Sequence, residues 1–228
     1  MMTRAALAII IITLLIYAVS FSQPEENRLT LADILIRADS VSNLNDSLLA
    51  QTKYSYESFS TFNRVDSDGN IKKSDTTIAM VTKLGDEELS REVIYSSNAD
   101  KEKRMKRQER KISFSPDNPD YNFPLTDFDV SSYKIAIVPR ASPPDEGDYQ
   151  GTIEIDRRSF FVKRIDLEVP NPEDALKEFA IDMNFKPLEG GLVVPTDMRM
   201  REFAKALLGI VKVRFTGEIR FAEYQILE

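Results

Sequence analysis

The chain has 228 residues, 42% hydrophobic and 29% charged, with 8 Gly and 11 Pro. This is a globular composition with room for one β-rich domain, and it excludes collagen-like, disordered and repeat architectures. There is no His and no Cys, and the formal net charge is −7. Ser-His-Asp and Cys-His triads and ordinary zinc centres are thereby excluded. No disulfide is available, so burial alone must hold the fold. The acidic balance argues against nucleic acid as a partner. Carboxylate pairs, Lys chemistry and oxygen-ligated metals are the enzymatic routes left, and no cofactor is expected.

At the N-terminus, Arg4 precedes an apolar run from Ala5 to Val19, and the next charged residue is Glu25. A positive start, an apolar run of 15 residues and small residues at its end read as a cleavable signal peptide. A retained anchor is the weaker reading, because a span needs about 20 residues. Small residues place the cut after Ser20 or after Ser22. The expected organisation is a signal peptide at 1–22 and one domain at 23–228, acting in the periplasm. With no Cys after the signal, the chain is not expected to be a lipoprotein. Losing Arg4 takes the net charge from −7 to −8.

Thr30 opens a helical rhythm of Leu31, Ile34, Leu35, Ala38, Val41, Leu44 and Leu48. Thr30 with Asp33 has capping-box spacing. From Thr52 the period changes to two, beginning with Tyr54 and Tyr56. Asp68-Gly69 reads as a hairpin turn. Residues 78–84 and 89–95 read as strands. Residues 101–111 carry seven basic and two acidic side chains, either a charged helix or charged strand arms. Residues 115–127 read as a loop, Tyr133 to Val138 as a strand, and Pro139 to Asp148 as another loop.

The last third alternates most clearly. Ile153 and Ile155 form one series, and Ile165, Leu167 and Val169 the next. Phe179, Ile181, Met183 and Phe185 follow, then Met198 and Met200, then Val211, Val213, Phe215, Ile219 and Phe221. Each reads as a half-buried antiparallel strand. Phe160-Phe161 breaks phase, as a bulge does. The total is nine or ten strands and one long helix of about 30 Å. So wide a sheet must close into a barrel, stack as a sandwich, or curl around the helix and leave a cavity.

Several of these segments resemble the outer-membrane lipoprotein carrier superfamily, the LolA/LolB-like proteins. They are Y-x-G-T-I-E-I-D at Tyr149 to Asp156, F-x-V-K-R-I-D-L at Phe160 to Leu167 and E-F-A-I-D-M-N-F at Glu178 to Phe185. G-G-L-V-V-P-T-D-M-R-M at Gly190 to Met200 and G-E-I-R-F-A-E-Y at Gly217 to Tyr224 also fit. The signal peptide, the opening helix and the Tyr-rich strand fit as well; residues 96–130 match poorly. The resemblance implies a mainly β, α+β fold. In it an open, strongly curved antiparallel half-barrel wraps an N-terminal helix around an apolar cavity for lipid or acyl chains.

The cavity candidates are Ile153, Ile155, Ile165, Leu167, Phe179, Ile181, Met183, Phe185, Met198, Met200, Val213 and Phe215. Taken singly, each is better read as core under the helix. As a set, they outnumber what one helix covers, and Phe and Met adapt to mobile apolar partners. Asp66, Asp68 and Asn70 have half of a calcium-loop spacing, but position 77 is Thr rather than Glu, so a plain turn is the better reading. The basic run 101–111 fits anionic headgroups or a partner's acidic patch, or simply a solvated face. Glu154 and Asp156 share a face without a pocket around them.

The expected function is a non-enzymatic, monomeric carrier of a lipid or lipoprotein acyl chain, moving between an inner-membrane donor and an outer-membrane acceptor. The alternative is a lipid-sensing or envelope-protein-binding module on the same fold. N-terminal sequencing of exported material should give Phe21 or Gln23 as the first residue. Recovery of intact Met1 in the membrane fraction would defeat the export reading.

Overall fold

The computed structural model describes residues 29–98, 113–172, 176–206 and 211–227. The segment 1–22, expected to be a signal peptide, and the basic run 101–111 lie outside them. The first element is helix α1 (Leu31–Gln51). The capping box foreseen at its start is formed: Asp33 N donates to Thr30 Oγ1 at 3.1 Å, and Thr30 N donates to Asp33 Oδ2 at 2.9 Å. Two of the orphan donors of the first turn are thus satisfied.

Eleven strands follow: β1 (Lys53–Val65), β2 (Ile71–Leu84), β3 (Glu87–Ser96), β4 (Tyr121–Asn122), β5 (Leu125–Phe128) and β6 (Ser132–Pro139). Then come β7 (Gln150–Asp156), β8 (Val162–Glu168), β9 (Leu176–Pro187), β10 (Val193–Ala206) and β11 (Val211–Leu227). They form one open antiparallel sheet in the order β3-β2-β1-β11-β10-β9-β8-β7-β6-β4, with β5 on β6. The fold is therefore mainly β, a half-barrel curled around a single helix. The first and last strands meet in its middle, in register from Lys53 opposite Leu227 to Val65 opposite Arg214.

The helix runs across the strands. Its first half buries Ile34, Leu35 and Ala38 against Ile135, Ile137, Ile153 and Ile155 of β6 and β7. Its last turn reaches the β2–β3 turn, where a Cβ on Gly85 would lie 3.1 Å from Ala50 Cα. Gly85 also has φ +58°, so both conformation and space favour glycine there. Contact with strands this far apart requires the sheet to curl, and register shifts in most of its strand pairs supply the bends.

Two expectations change. The apolar stripe of α1 is buried only in its first half; Leu44 is 61% and Leu48 39% exposed. The segment 115–127 is not a plain loop. It contains β4 and β5, and Phe114, Tyr121 and Phe123 complete the core beside the helix. The D-S-D-G-N stretch is a turn: Asp66 accepts from the backbone N–H of Asp68 and Asn70 and pairs with Lys72 at 2.9 Å.

Asp129 clamps the turn into β6. Its Oδ1 accepts from Ser131 N at 2.6 Å and Ser132 N at 2.7 Å, as well as from both hydroxyls. These bonds, those of Ser131 first, pull its pKa down from 3.8 to about 2. A lowered native pKa adds stability above the unfolded value and loses it as pH falls through the native one. Thermal melts should therefore show the wild type losing stability between about pH 4 and pH 2. Asp129→Asn should lose less over that interval, and an identical pH profile for the two would remove Asp129 from the account.

Candidate functional site

Register places the twelve candidate side chains on one face. Ile153 opposes Ile165, which opposes Met183, which opposes Met198. Leu167 opposes Ile181, which opposes Met200; Phe179 opposes Glu202, which opposes Phe215. Phe185 opposes Pro195, and Val213 opposes Ala204. This is the face that carries the helix, since Ile153 and Ile155 belong to the core built with Ile34 and Leu35.

The set divides by burial. Ile153 and Ile155 are sealed beneath the helix at 1% and 0% exposure, Leu167 is buried with them, and Ile165 packs against the same core. Phe179 is also buried. Ile181, Met183, Phe185, Met198, Met200, Val213 and Phe215 are only half-buried. The helix is spent on β6–β8, and the inner face of β9–β11 is left partly open.

Sequence reading missed the continuation of this face onto β1. Tyr56 stands edge-on to Phe221 at 5.6 Å and lies against Tyr224 at 5.3 Å, and Tyr54 joins them. Phe221 and Tyr224 are three residues apart and would point to opposite faces of a regular strand. A bulge brings them together: Gln225 pairs with Ser55 and Ala222 with Glu57, so β11 takes three steps where β1 takes two. Glu223 absorbs the extra residue at φ +51°. The alternation of Tyr54 with Tyr56 was a visible signal; the bulge had none.

At the same end β10 leaves β11. Their pairing begins only at Asp197 opposite Arg220. Two side chains bridge the gap above it. Asn45 of the helix accepts from Val193 N at 2.7 Å and donates to Val193 O at 3.1 Å, standing in for a strand backbone. Tyr224 Oη donates to Pro195 O at 2.8 Å.

The electrostatics of the lining are bland. Burial pushes the Tyr54 phenol up to about 12, with Tyr56 and Asp86 adding to it. Burial also raises Tyr56 and raises Tyr224 strongly. These phenols stay neutral at any physiological pH. Apart from Glu202 and Arg64, which flank Phe215 on the inner face, the charged contacts lie on the opposite face, where Arg164 pairs with Asp182 at 2.6 Å, Asn184 bonds Asp197, and Arg220 covers the Phe59 ring at 5.4 Å. Glu154 lies on that outer face between Lys134 and Arg164, and Asp156 is occupied in capping the β7–β8 turn. Among the described residues no three metal-ligating side chains cluster, and no helix is long and apolar enough to cross a membrane.

No family model and no curated protein matches the sequence. Solved structures do. The chain is similar in fold to LolA-superfamily structures. A LolA superfamily protein from Nitrosomonas europaea is 12% identical, covering 88% of this chain and 94% of its own, with a TM-score of 0.35. A putative outer-membrane lipoprotein-sorting protein domain from Vibrio parahaemolyticus is 7% identical, covering 85% and 95%, with a TM-score of 0.37. MucB in its complex with MucA from Pseudomonas aeruginosa is 11% identical, covering 84% and 99%, with a TM-score of 0.28.

The burial split sets an expected order of stability costs. Ile153→Ala should destabilise by about 2–4 kcal/mol, as a sealed core position does. Met198→Ala should cost less, about 1–2 kcal/mol, because its side chain is only partly buried. Urea unfolding measures both, and equal costs would show that β10 is as fully packed as β7.

Proposed function

We propose that the chain is a periplasmic carrier that shelters a lipid or lipoprotein acyl chain on the inner face of β9–β11 and β1. The observation that carries this reading is the half-buried apolar stretch Met183, Met198, Met200 and Phe215, which lies outside the core built with the helix. A large apolar patch on a monomer marks an interaction site. Neutral phenols and apolar side chains suit hydrocarbon, and the charged outer face keeps the loaded molecule in water.

The mechanism is sequestration. Each buried CH₂ is worth about 0.8 kcal/mol, so a chain of roughly sixteen carbons gains on the order of 10 kcal/mol. That is enough to compete with the residence of one chain in a bilayer and leaves exchange with a membrane-bound donor or acceptor reversible. The signal peptide supports export, and the absence of a lipid-bearing Cys supports a soluble shuttle over an anchored receptor.

The test is binding of a fluorescent fatty-acid probe to residues 23–228. The wild type should bind it. Met183→Asp should weaken binding about tenfold or more, since it sets an unpaired carboxylate among apolar walls. Circular dichroism must show that the variant remains folded. A wild type that binds no probe, or a folded variant that binds equally well, would favour an envelope-protein-binding module.

A further inference from the structure

One position on the inner face of β11 has no side chain, and its neighbours fill the space. A Cβ on Gly217 would lie 2.8 Å from Met200 Cγ and 2.8 Å from Phe62 Cε1. Carbons in van der Waals contact keep about 3.5–4.0 Å. Met200 on β10 and Phe62 on β1 are the direct cross-strand partners of Gly217 on its two sides. Both lean over the glycine and form a low apolar floor three strands wide. A mid-strand glycine weakens a sheet by about 0.5–1 kcal/mol relative to Ala and often marks a close approach.

The track through this floor has two unlike ends. Towards the helix it passes Ile219 and meets Phe221, Tyr56 and Tyr224. In the other direction it reaches Phe215, whose cross-strand partners are Arg64 on β1 and Glu202 on β10. Arg64 is exposed and sits opposite Lys73, which Asp75 holds at 3.0 Å; Phe62 is 40% exposed. One end is aromatic and enclosed, and the other is charged and wet. The six residue-to-residue steps from Phe221 to Phe215 span about 20 Å at ~3.3 Å per step, close to the length of an extended chain of roughly sixteen carbons.

We infer that the track takes one unbranched acyl chain laid along β11, and that Gly217 is the specificity-determining position that lets it run through. The methyl end lies against the Tyr56–Phe221–Tyr224 cluster, and the polar end lies beside Arg64 and Glu202. This rests on the carrier reading and deepens it. A side chain at 217 forces Phe62 and Met200 upright into the path and stops the chain part-way.

The experiment measures displacement of the probe by eight-, twelve- and sixteen-carbon fatty acids. Wild-type affinity should rise with length, with sixteen carbons at least about tenfold tighter than eight, well within the gain of ~0.8 kcal/mol per methylene. Gly217 lies about 7 Å from Phe215 at ~3.3 Å per residue, so Gly217→Leu stops every one of these chains at about the same depth and should lose most of the gain from eight to sixteen carbons. Adding Phe62→Ala to Gly217→Leu makes room again and should restore the gain. Thermal melts check folding, and Gly217→Ala, a smaller obstruction, should show a partial loss if the leucine variant does not fold. If the wild type binds no fatty acid, the carrier reading falls. If it binds with length dependence that Gly217→Leu and Gly217→Ala leave intact, or that Phe62→Ala does not restore, the Gly217 inference falls and the carrier reading stands.

Discussion

Among the described residues a single helix of 21 residues serves a sheet of eleven strands, and the rest of the architecture answers to that shortage. About 31 Å of helix shields only part of such a surface. Ile34, Leu35 and Ala38 commit its first half to β6 and β7, and Phe114, Tyr121 and Phe123 extend the same core. The second half makes contact through one asparagine and a close approach at Gly85. Where it no longer reaches, the sheet curls and shields itself with Met, Phe and Tyr. The open face is the remainder after a small helix has been fully used.

The same shortage explains where charge and edges go. A half-covered apolar sheet invites association with other sheets, and the outer face counters this with Arg164, Asp182, Arg199, Glu218 and Arg220. The outlying strand β3 exposes Leu89, Val93 and Ile94, which on a flat edge would template another chain. Two register shifts against β2 kink it, and the Glu88–Arg91 pair charges it. Bulges and charge are the usual defences of an edge.

Periodicity made the elements legible. The Thr30–Asp33 spacing gave the helix start, and alternation from Ile153 to Phe221 gave the C-terminal strands and their common face. Periodicity says which side chains share a face and nothing about what covers it. For that reason Leu44 and Leu48 read as core and are exposed, while Ile153 and Met198 read alike and differ in burial. Features made by irregularity had no signal: the bulge at Glu223 that gathers the tyrosines, the parting of β10 from β11, and a glycine whose meaning depends on Phe62 more than 150 positions away.

The pairing of the first strand with the last has a consequence for the order of assembly. Lys53 finds its partner in Leu227, so β1 lacks one neighbour until β11 has been made. In a chain emerging amino-terminus first, the β1–β3 meander and the β6–β10 block can each form from local contacts, but the seam joining them waits for β11. Closure across so long a separation is slow. A folding delay of that kind makes residues 211–227 the clasp that turns two sheets into one.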